Sequence, residues 1–169
     1  MSTDPFKEGL SAARRGDFAT AVELWRTLAE QGDARAQYNL GFLYANGQGV
    51  PQDNTRAIGW YTQAGDQGFA AAQFNLGVLL SSDDGIPPDY GAALKWYRKA
   101  ADQGDADAQF NIGVAYAIGR GVARDYVRAY LWYTGAAKAG HQKAAMTRES
   151  LAAEMTAAQL AEAETLVRG

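Results

Sequence analysis

The nine residues Asp33-Ala-Arg-Ala-Gln-Tyr-Asn-Leu-Gly41 return twice, with little change, further along this chain of 169 residues. They come back as Phe69-Ala-Ala-Ala-Gln-Phe-Asn-Leu-Gly77 and as Asp105-Ala-Asp-Ala-Gln-Phe-Asn-Ile-Gly113. From residue 33 to residue 69, and from residue 69 to residue 105, the step is 36 residues. Self-similarity at a fixed period of this size is the signature of a repeat architecture. The chain is therefore predicted to consist of copies of one small structural unit.

A second block keeps the same step after each copy of the first. It contains a glycine, an aspartate, an alanine and a Trp-Tyr pair in a fixed order. Its members are Gly49, Asp53, Ala57, Trp60 and Tyr61, then Gly85, Asp89, Ala93, Trp96 and Tyr97, then Gly121, Asp125, Ala129, Trp132 and Tyr133. Each repeat is therefore predicted to hold two segments that are joined by a turn.

Both segments of a repeat have the periodicity of an α-helix. Apolar residues recur at intervals of three and four, which places them on one helical face. They are Ala36, Leu40, Leu43 and Tyr44 in the first segment, and Ala57, Trp60, Tyr61 and Ala64 in the second. Gly41 lies on the same face, where glycine costs roughly 1 kcal/mol of helix propensity relative to alanine. Because glycine returns at 77 and 113, we expect a neighbouring helix to approach closely at this position.

Aspartate and glycine mark the predicted helix ends. A carboxylate at a helix N-terminus accepts hydrogen bonds from free N–H groups and interacts favourably with the helix dipole. This role is predicted for Asp17, Asp53, Asp89 and Asp125 before the second helices, and for Asp33 and Asp105 before the first helices. The second helices are predicted to end at Gly32, Gly68, Gly104 and Gly140. His141 stands where Asp33 and Asp105 stand, so a helix N-terminal role is expected for it too. Thr156-Ala-Ala-Gln159 is a capping-box signature that predicts a last helix.

Together these residues resemble the Sel-one-like repeat (SLR) family, a branch of the tetratricopeptide superfamily. The resemblance rests on the Ala-x-Ala-Gln-Tyr-Asn-Leu-Gly block, the Gly-x-Gly-Val turn, the aspartate and the Ala-x-x-Trp-Tyr block. It implies an all-α fold, a right-handed α-α superhelix (solenoid) of antiparallel helix pairs, as a single domain over residues 1–169. We expect an N-terminal tetratricopeptide-like unit at 4–32, repeats at 33–68, 69–104 and 105–140, and C-terminal capping helices at 141–169.

The resemblance also implies a surface for binding a partner peptide or protein. In tetratricopeptide-like arrays, the first helix of each pair lines a concave groove. Mapped onto this chain, the groove would take Arg35, Tyr38, Asn39, Phe42, Ala71, Phe74, Asn75, Val78, Asp107, Phe110, Asn111 and Val114. From Arg35 through Ala71 to Asp107, a partner would meet a positive, a neutral and a negative patch in turn, which favours one register of binding.

The asparagines of this groove have two interpretations, and both stay open at this point. Asn39, Asn75 and Asn111 would form a ladder of amides that matches the C=O and N–H groups of an extended peptide. Alternatively, the amides tie one helix to the next and hold the array together. One groove can use both arrangements.

The aromatic residues raise the same question of packing against binding. We expect Trp60, Trp96 and Trp132 to belong to the core between repeats, because they recur on a helical face. Packing is also favoured for a second set, for which a position in the groove stays open. This set is Tyr38, Phe74 and Phe110.

Composition argues against most chemistry. The chain has no cysteine and a single histidine, His141, which disfavours thiolate or histidine metal sites and a Ser-His-Asp triad. Sixteen Lys plus Arg against nineteen Asp plus Glu give a net charge of −3, without the basic footprint of a nucleic-acid-binding protein. We therefore expect a non-catalytic adaptor or scaffold with a protein or peptide partner. We expect no cofactor, no metal, no nucleic acid and no membrane partner, and a monomer or weak oligomer.

Two alternatives to this function stay open. Some cysteine-rich relatives in the family are linked to β-lactam binding or hydrolysis, although this chain lacks cysteine and a nucleophile–base pair. The array could also be a structural subunit of a larger assembly, which the sequence does not separate from an adaptor. Residues 1–20 contain no apolar run of signal-peptide length, so the expected location is the cytoplasm.

Overall fold

The structure is a computed structural model that describes residues 4–168. In these residues it contains ten α-helices and no strand. The helices are α1 (Pro5–Arg14), α2 (Phe18–Glu30), α3 (Ala34–Asn46), α4 (Asn54–Asp66), α5 (Ala70–Ser81), α6 (Tyr90–Ala101), α7 (Ala106–Ile118), α8 (Tyr126–Lys138), α9 (Ala144–Glu154) and α10 (Ala157–Arg168). The all-α repeat fold predicted from the sequence is confirmed. Every helix in the described part of the chain is too short or too polar to span a lipid bilayer.

The helices form two compact units, each of which is described by itself. Unit 1 contains α1 to α5 and runs up to Pro88, and unit 2 contains α6 to α10 and begins at Asp89. In unit 1, each helix packs against the next one in chain order. In unit 2, the helices from α6 to α9 do the same, and α10 packs back onto α8. Both units are therefore built from neighbouring helices that are joined by short turns.

The predicted capping aspartates are confirmed. Four of them precede α2, α4, α6 and α8, and each accepts a hydrogen bond from the backbone N–H three residues further on. These are Asp17, Asp53, Asp89 and Asp125. Asp33 caps α3 and Asp105 caps α7 in a similar way. Such a cap stabilises a helix by about 1 kcal/mol relative to alanine. Six helix starts therefore follow from aspartates that were visible in the sequence.

Two positions that lack the aspartate behave differently. Phe69 precedes α5 and its side chain makes no capping hydrogen bond. His141 was predicted to have an N-terminal role, and this prediction is wrong because α9 begins only at Ala144, after Lys143. The imidazole of His141 instead stacks on the ring of Phe110, with 4.1 Å between the ring centroids and 11° between the planes.

A glycine of the first helix of a pair lies against an aromatic ring of the second helix. The pairs are Gly9 with Trp25, Gly41 with Tyr61, and Gly113 with Tyr133. A Cβ atom placed on Gly41 would lie 2.6 Å from the ring of Tyr61, and one placed on Gly113 would lie 2.6 Å from the ring of Tyr133. Carbon atoms that are not bonded prefer a separation of about 3.5–4.0 Å. The predicted close approach is therefore confirmed, and it occurs within each unit.

The apolar stripe predicted on the first helix is buried. Ala36, Leu40, Leu43 and Tyr44 are all buried in the core of unit 1 or at its boundary. On the second helix, Ala57, Tyr61 and Ala64 are buried as well. Trp60, however, is half-buried and packs against the edge of the core, and Trp96 and Trp132 are half-buried too. The enclosed aromatic residue of these second helices is therefore the tyrosine rather than the tryptophan expected from the sequence.

The predicted C-terminal capping box is confirmed. The backbone N–H of Thr156 donates to Oε1 of Gln159 at 3.0 Å, and the backbone N–H of Gln159 donates to the Thr156 hydroxyl at 3.2 Å. This reciprocal pair satisfies two N–H groups at the start of α10. The helix then buries Ala163 and packs on α8, so a four-residue signal located the last helix.

We expect Gly41→Ala to lower the free energy of unfolding by about 1–3 kcal/mol, because the new methyl group would overlap the enclosed ring of Tyr61. Gly59→Ala is the matched control. Gly59 lies inside α4, and nothing lies within 4 Å of a Cβ atom placed there. That substitution should raise the free energy of unfolding by about 0.5–1 kcal/mol, since alanine is the better helix former. Equilibrium urea unfolding measures both variants, and changes of the same sign would contradict the contact with Tyr61.

Candidate partner-binding face

The predicted groove residues lie on the first helices of three pairs, namely α3 and α5 in unit 1 and α7 in unit 2. We call this set, taken for each unit by itself, the first-helix face. Its members are Arg35, Tyr38, Asn39, Phe42, Phe74, Asn75, Val78, Asp107, Phe110, Asn111 and Val114. Arg35, Phe42, Val78 and Asp107 are exposed, and the other members are half-buried. Most of these side chains therefore have one edge in the packing and one edge at the surface.

Tyr61 on α4 joins two members of the face in unit 1. Its ring lies against Gly41 and makes a tilted contact with the ring of Tyr38, at 5.8 Å between centroids. Its hydroxyl oxygen accepts a hydrogen bond from Nδ2 of Asn75 at 3.3 Å. Only 2% of Tyr61 is exposed, and this burial raises the pKa of the phenol above its ordinary value of 10.0, because a phenolate would lose its hydration. A neutral phenol therefore connects α4 with both α3 and α5.

The three asparagines of the face are not equivalent. Asn75 is held by Tyr61, whereas the side-chain amides of Asn39 and Asn111 make no hydrogen bond with any described residue. For Asn39 the reason lies in Trp25, which stands one repeat before Tyr61. The indole N–H of Trp25 donates to the backbone carbonyl of Phe6 at 3.3 Å, and an indole offers no acceptor. The helix-tying interpretation therefore holds at Asn75, and Asn39 and Asn111 make no such tie to any described residue.

Two aromatic members of the face have packing partners on both sides. The ring of Tyr38 lies 5.0 Å from that of Phe69 in addition to its contact with Tyr61. In unit 2, the ring of Phe110 lies 5.3 Å from that of Tyr133 and 4.1 Å from that of His141. Offset and tilted ring pairs at such distances contribute about 0.5–1.5 kcal/mol beyond area burial. Tyr38 and Phe110 therefore stabilise the packing, and only their exposed edges remain for a partner.

The charges of the face are partly compensated inside the chain. Nη2 of Arg35 lies 2.7 Å from Oδ2 of Asp33, and the guanidinium group lies 4.2 Å above the ring of Phe6. The hydrogen bond with Arg35 lowers the pKa of the Asp33 carboxyl below its ordinary value. Oδ1 of Asp107 lies 3.5 Å from Nε2 of His141, yet 66% of the Asp107 side chain is exposed. The negative end of the predicted charge series is therefore open, and the positive end is largely neutralised by Asp33.

The sequence alone assigned no role to the glutamine that recurs in the first block. The structure shows that its side chain joins neighbouring helices. Nε2 of Gln37 donates to the carbonyl of Ala29 at 3.0 Å, and Nε2 of Gln73 donates to the carbonyl of Gly65 at 2.8 Å. Gln37 is 3% exposed and Gln73 is 4% exposed. Each amide thus ties a first helix to the end of the second helix before it. The available signal was an amide that recurs among buried positions, because a buried polar group needs partners.

Comparisons with known proteins agree with this architecture. The Sel1 repeat family matches the chain at 6–33, 34–69, 70–105 and 106–141. The crystal structure of a Sel1 repeat protein from Oxalobacter formigenes is 36% identical, with a TM-score of 0.74, over 85% of this chain and 57% of that one. A protective antigen of uropathogenic Escherichia coli strains that displays an SLR fold is 32% identical, with a TM-score of 0.56, over 96% of this chain and 44% of that one.

A curated relative matches a shorter stretch. It is an exopolysaccharide production negative regulator of Rhizobium leguminosarum bv. viciae, 38% identical over 60 residues, which are 36% of this chain and 22% of that protein. The chain therefore spans less than two thirds of the length of each of these three proteins.

Tyr61→Phe should lower the free energy of unfolding by about 1 kcal/mol near neutral pH, because the hydrogen bond from Asn75 is lost. The same variant should lose less stability than the wild type as the pH rises above about 10. In the wild type, the unfolded chain releases the Tyr61 proton at its ordinary pKa while the folded chain keeps it, so alkaline pH favours unfolding. Urea unfolding at about pH 7.5 and about pH 10.5 measures the difference.

Tyr126→Phe is the control for this measurement. The Tyr126 side chain is half-buried, and its hydroxyl makes no hydrogen bond with any described residue. It should therefore follow the wild type at both pH values. If Tyr61→Phe and Tyr126→Phe lose stability in parallel as the pH rises, burial of the Tyr61 phenol is not the cause.

Proposed function

Because this chain belongs to the Sel1 repeat family, we propose that it is a non-catalytic adaptor that binds a partner protein through its first-helix face. The bound element is an extended peptide segment of the partner. Repeat proteins of stacked helices offer long surfaces in which successive repeats present equivalent positions. An extended peptide also has equivalent positions at regular spacing, so the two periodicities suit each other.

The observation that carries this proposal is an apolar position that recurs in each repeat without being buried. Phe42, Val78 and Val114 occupy the same place in three repeats. Phe42 is 43% exposed and Val78 is 39% exposed, and Val114 is half-buried. Single exposed apolar side chains are common in soluble proteins. An apolar residue that returns at one register, and is not required by the core, is better explained by contact with a partner.

The neighbouring asparagines supply the polar half of the recognition. Asn39 lies three residues before Phe42, so both side chains lie on one side of α3, and Asn111 and Val114 have the same relation on α7. An amide can donate to a peptide carbonyl and accept from a peptide N–H at the same time. The pairing of an unoccupied amide with an exposed apolar side chain therefore suits the backbone and one side chain of an extended segment.

Asp107 adds a preference for charge. Its carboxylate is exposed in unit 2, whereas Arg35 is paired with Asp33 in unit 1. A segment bound to unit 2 is therefore favoured when it places a basic side chain next to α7, and a segment bound to unit 1 gains little from an acidic side chain next to α3. Such rim charges contribute more to the orientation and rate of binding than to its strength.

We expect a photo-crosslinking phenylalanine derivative at position 42, introduced in the protein's native cells, to capture a partner that the same group at position 146 does not capture. Met146 is the matched control, because it is apolar and 67% exposed and lies on α9, outside the first-helix face. The captured partner is then purified, and its affinity is measured by calorimetry. Asn39→Ala should weaken binding about five-fold, as the loss of one hydrogen bond predicts.

Phe42→Ser should weaken the same complex by about ten-fold or more, and Met146→Ser should leave it unchanged. Circular dichroism shows whether each variant keeps its fold. A partner that crosslinks from position 146 but not from position 42 would contradict the proposal. So would a purified partner that binds Phe42→Ser and Asn39→Ala as tightly as the wild type.

A further inference from the structure

Unit 1 contains a second polar surface that uses none of the first-helix face. It is an open cavity of about 420 Å³ between residues of α2, α3 and α4. Two arginines, Arg26 and Arg56, line it together with Tyr44, Trp60 and Glu30. We propose that this cavity, and its counterpart in unit 2, each bind a carboxylate group of an acidic protein segment.

The chain engages the two arginines of the cavity to different extents. Nη1 of Arg56 donates to the Tyr44 hydroxyl at 3.2 Å, and its Nε lies 3.3 Å from Oδ2 of Asp53. The exposed side chain of Arg26 has no ion pair or hydrogen bond with any described residue. One guanidinium group in the cavity is therefore held in place by Tyr44, and the other is free to pair with a ligand.

Unit 2 repeats this arrangement in a tighter form. Nη2 of Arg98 donates to the Tyr116 hydroxyl at 2.9 Å, and Nη1 of Arg128 donates to the same oxygen at 3.4 Å. Both cationic nitrogens therefore lie within hydrogen-bond distance of the same phenol oxygen. Like charges so close repel each other, and the chain compensates this repulsion only in part, because Nε of Arg128 lies 3.3 Å from Oδ2 of Asp125. An anion that contacts both groups would remove the repulsion and form charge-assisted hydrogen bonds.

The two sites correspond residue by residue at a distance of two repeats. Arg26, Glu30, Tyr44, Arg56 and Trp60 correspond to Arg98, Asp102, Tyr116, Arg128 and Trp132. In the intervening repeat, the arginine and tyrosine positions are Thr62, Leu80 and Ala92. The intervening repeat therefore lacks both arginines and the tyrosine at once, as expected of residues that act as a group.

A purely structural role does not account for this group. Arg56 and Arg128 stand three residues after the capping aspartates Asp53 and Asp125, so they could serve only to hold those carboxylates. Asp89 caps α6 in the same way, however, with its Oδ1 2.8 Å from the backbone nitrogen of Ala92. The cap forms without an arginine, so capping alone does not require one.

The site suits a carboxylate better than a phosphate. Arg56 is already paired with Asp53, so Arg26 is the cation that remains for a ligand, and it matches a single negative charge. A dianionic phosphate would have to lie beside the Glu30 carboxylate. The Tyr44 hydroxyl accepts from Arg56, and its own proton remains available to a ligand oxygen. Trp60 offers an apolar wall for the methylene groups of an acidic side chain.

The probe for this proposal is a six-residue glutamate peptide, with hexaglutamine as its neutral match. Tryptophan indole N–H signals of the nitrogen-15-labelled protein report binding by NMR. Hexaglutamate should shift the signals of Trp60 and Trp132 in a saturable way, and hexaglutamine should shift neither. The internal controls are Trp25, which is enclosed in the core, and Trp96, which occupies the same repeat position without the arginines and has the ammonium group of Lys99 over its ring instead. Their signals should not move.

Matched variants show whether binding depends on the cavity or only on the net charge of the protein. Arg26→Gln should weaken binding at Trp60 about ten-fold and leave Trp132 unchanged, and Arg98→Gln should do the reverse. Arg14→Gln removes the same charge from an exposed arginine outside the cavity and should change neither. Equal losses from Arg14→Gln and Arg26→Gln would overturn the proposal, as would shifts at Trp96 that match those at Trp60.

Two further arms identify the source of the anion. Inorganic phosphate that shifts Trp60 at a lower concentration than hexaglutamate would overturn the choice of a carboxylate. Acetate that matches hexaglutamate at equal carboxylate concentration would overturn the choice of a protein segment. None of these measurements involves Phe42 or Asn39, so the proposal stands or falls independently of the adaptor function.

Discussion

The close packing of two helices depends on one contact, in which an aromatic ring of the second helix lies directly against a glycine of the first helix. At Gly41 and Gly113 there is no room for a methyl group beneath Tyr61 and Tyr133. The contact brings the two helix backbones close together and encloses a large apolar ring, which offsets the helix propensity that glycine loses. Because the ring belongs to a tyrosine, it also places one polar atom deep in each pair. Burial raises the pKa of Tyr133 to about 12, so this atom stays a neutral hydroxyl.

The tyrosine hydroxyl can accept a hydrogen bond from a neighbouring asparagine, and an indole in its place cannot. Where the enclosed ring is Tyr61, its hydroxyl takes the amide of Asn75 and ties α5 to α4. Where the enclosed ring is Trp25, no acceptor faces Asn39, and that amide remains without a partner in the described chain. A tyrosine hydroxyl is thus what holds Asn75 in place, and the indole at the corresponding position offers Asn39 no such acceptor.

The sequence predicted the features that depend on local chemistry or on strict spacing. The caps at Asp53 and Asp125, the box at Thr156 and Gln159, and the close approach at Gly41 all depend on one residue type at one helical position. The sequence placed Trp60 in the core, whereas the enclosed ring is that of Tyr61. Both residues lie on the same helical face one residue apart, so their spacing does not separate them. It also missed the stacking of His141 on Phe110, since that contact joins residues of separate elements and depends on where α9 begins. Side-chain pairing of this kind is decided by distances of a few tenths of an ångström.

Repetition itself helps to separate packing from function in this chain. A residue needed to pack one helix pair on the next returns at every repeat, as Ala57, Ala93 and Ala129 do, each nearly fully enclosed. The Arg–Tyr group breaks this rule, because it is present at Tyr44 and Tyr116 and absent at Leu80. The cap of α6 forms in its absence, since Asp89 accepts the capping hydrogen bond there. Helix capping therefore does not require the group, and the proposed anion site gives a reason for its return with all its polar members together. In unit 2, two guanidinium groups converge on the Tyr116 hydroxyl, and an anion that contacts both groups would form charge-assisted hydrogen bonds with them.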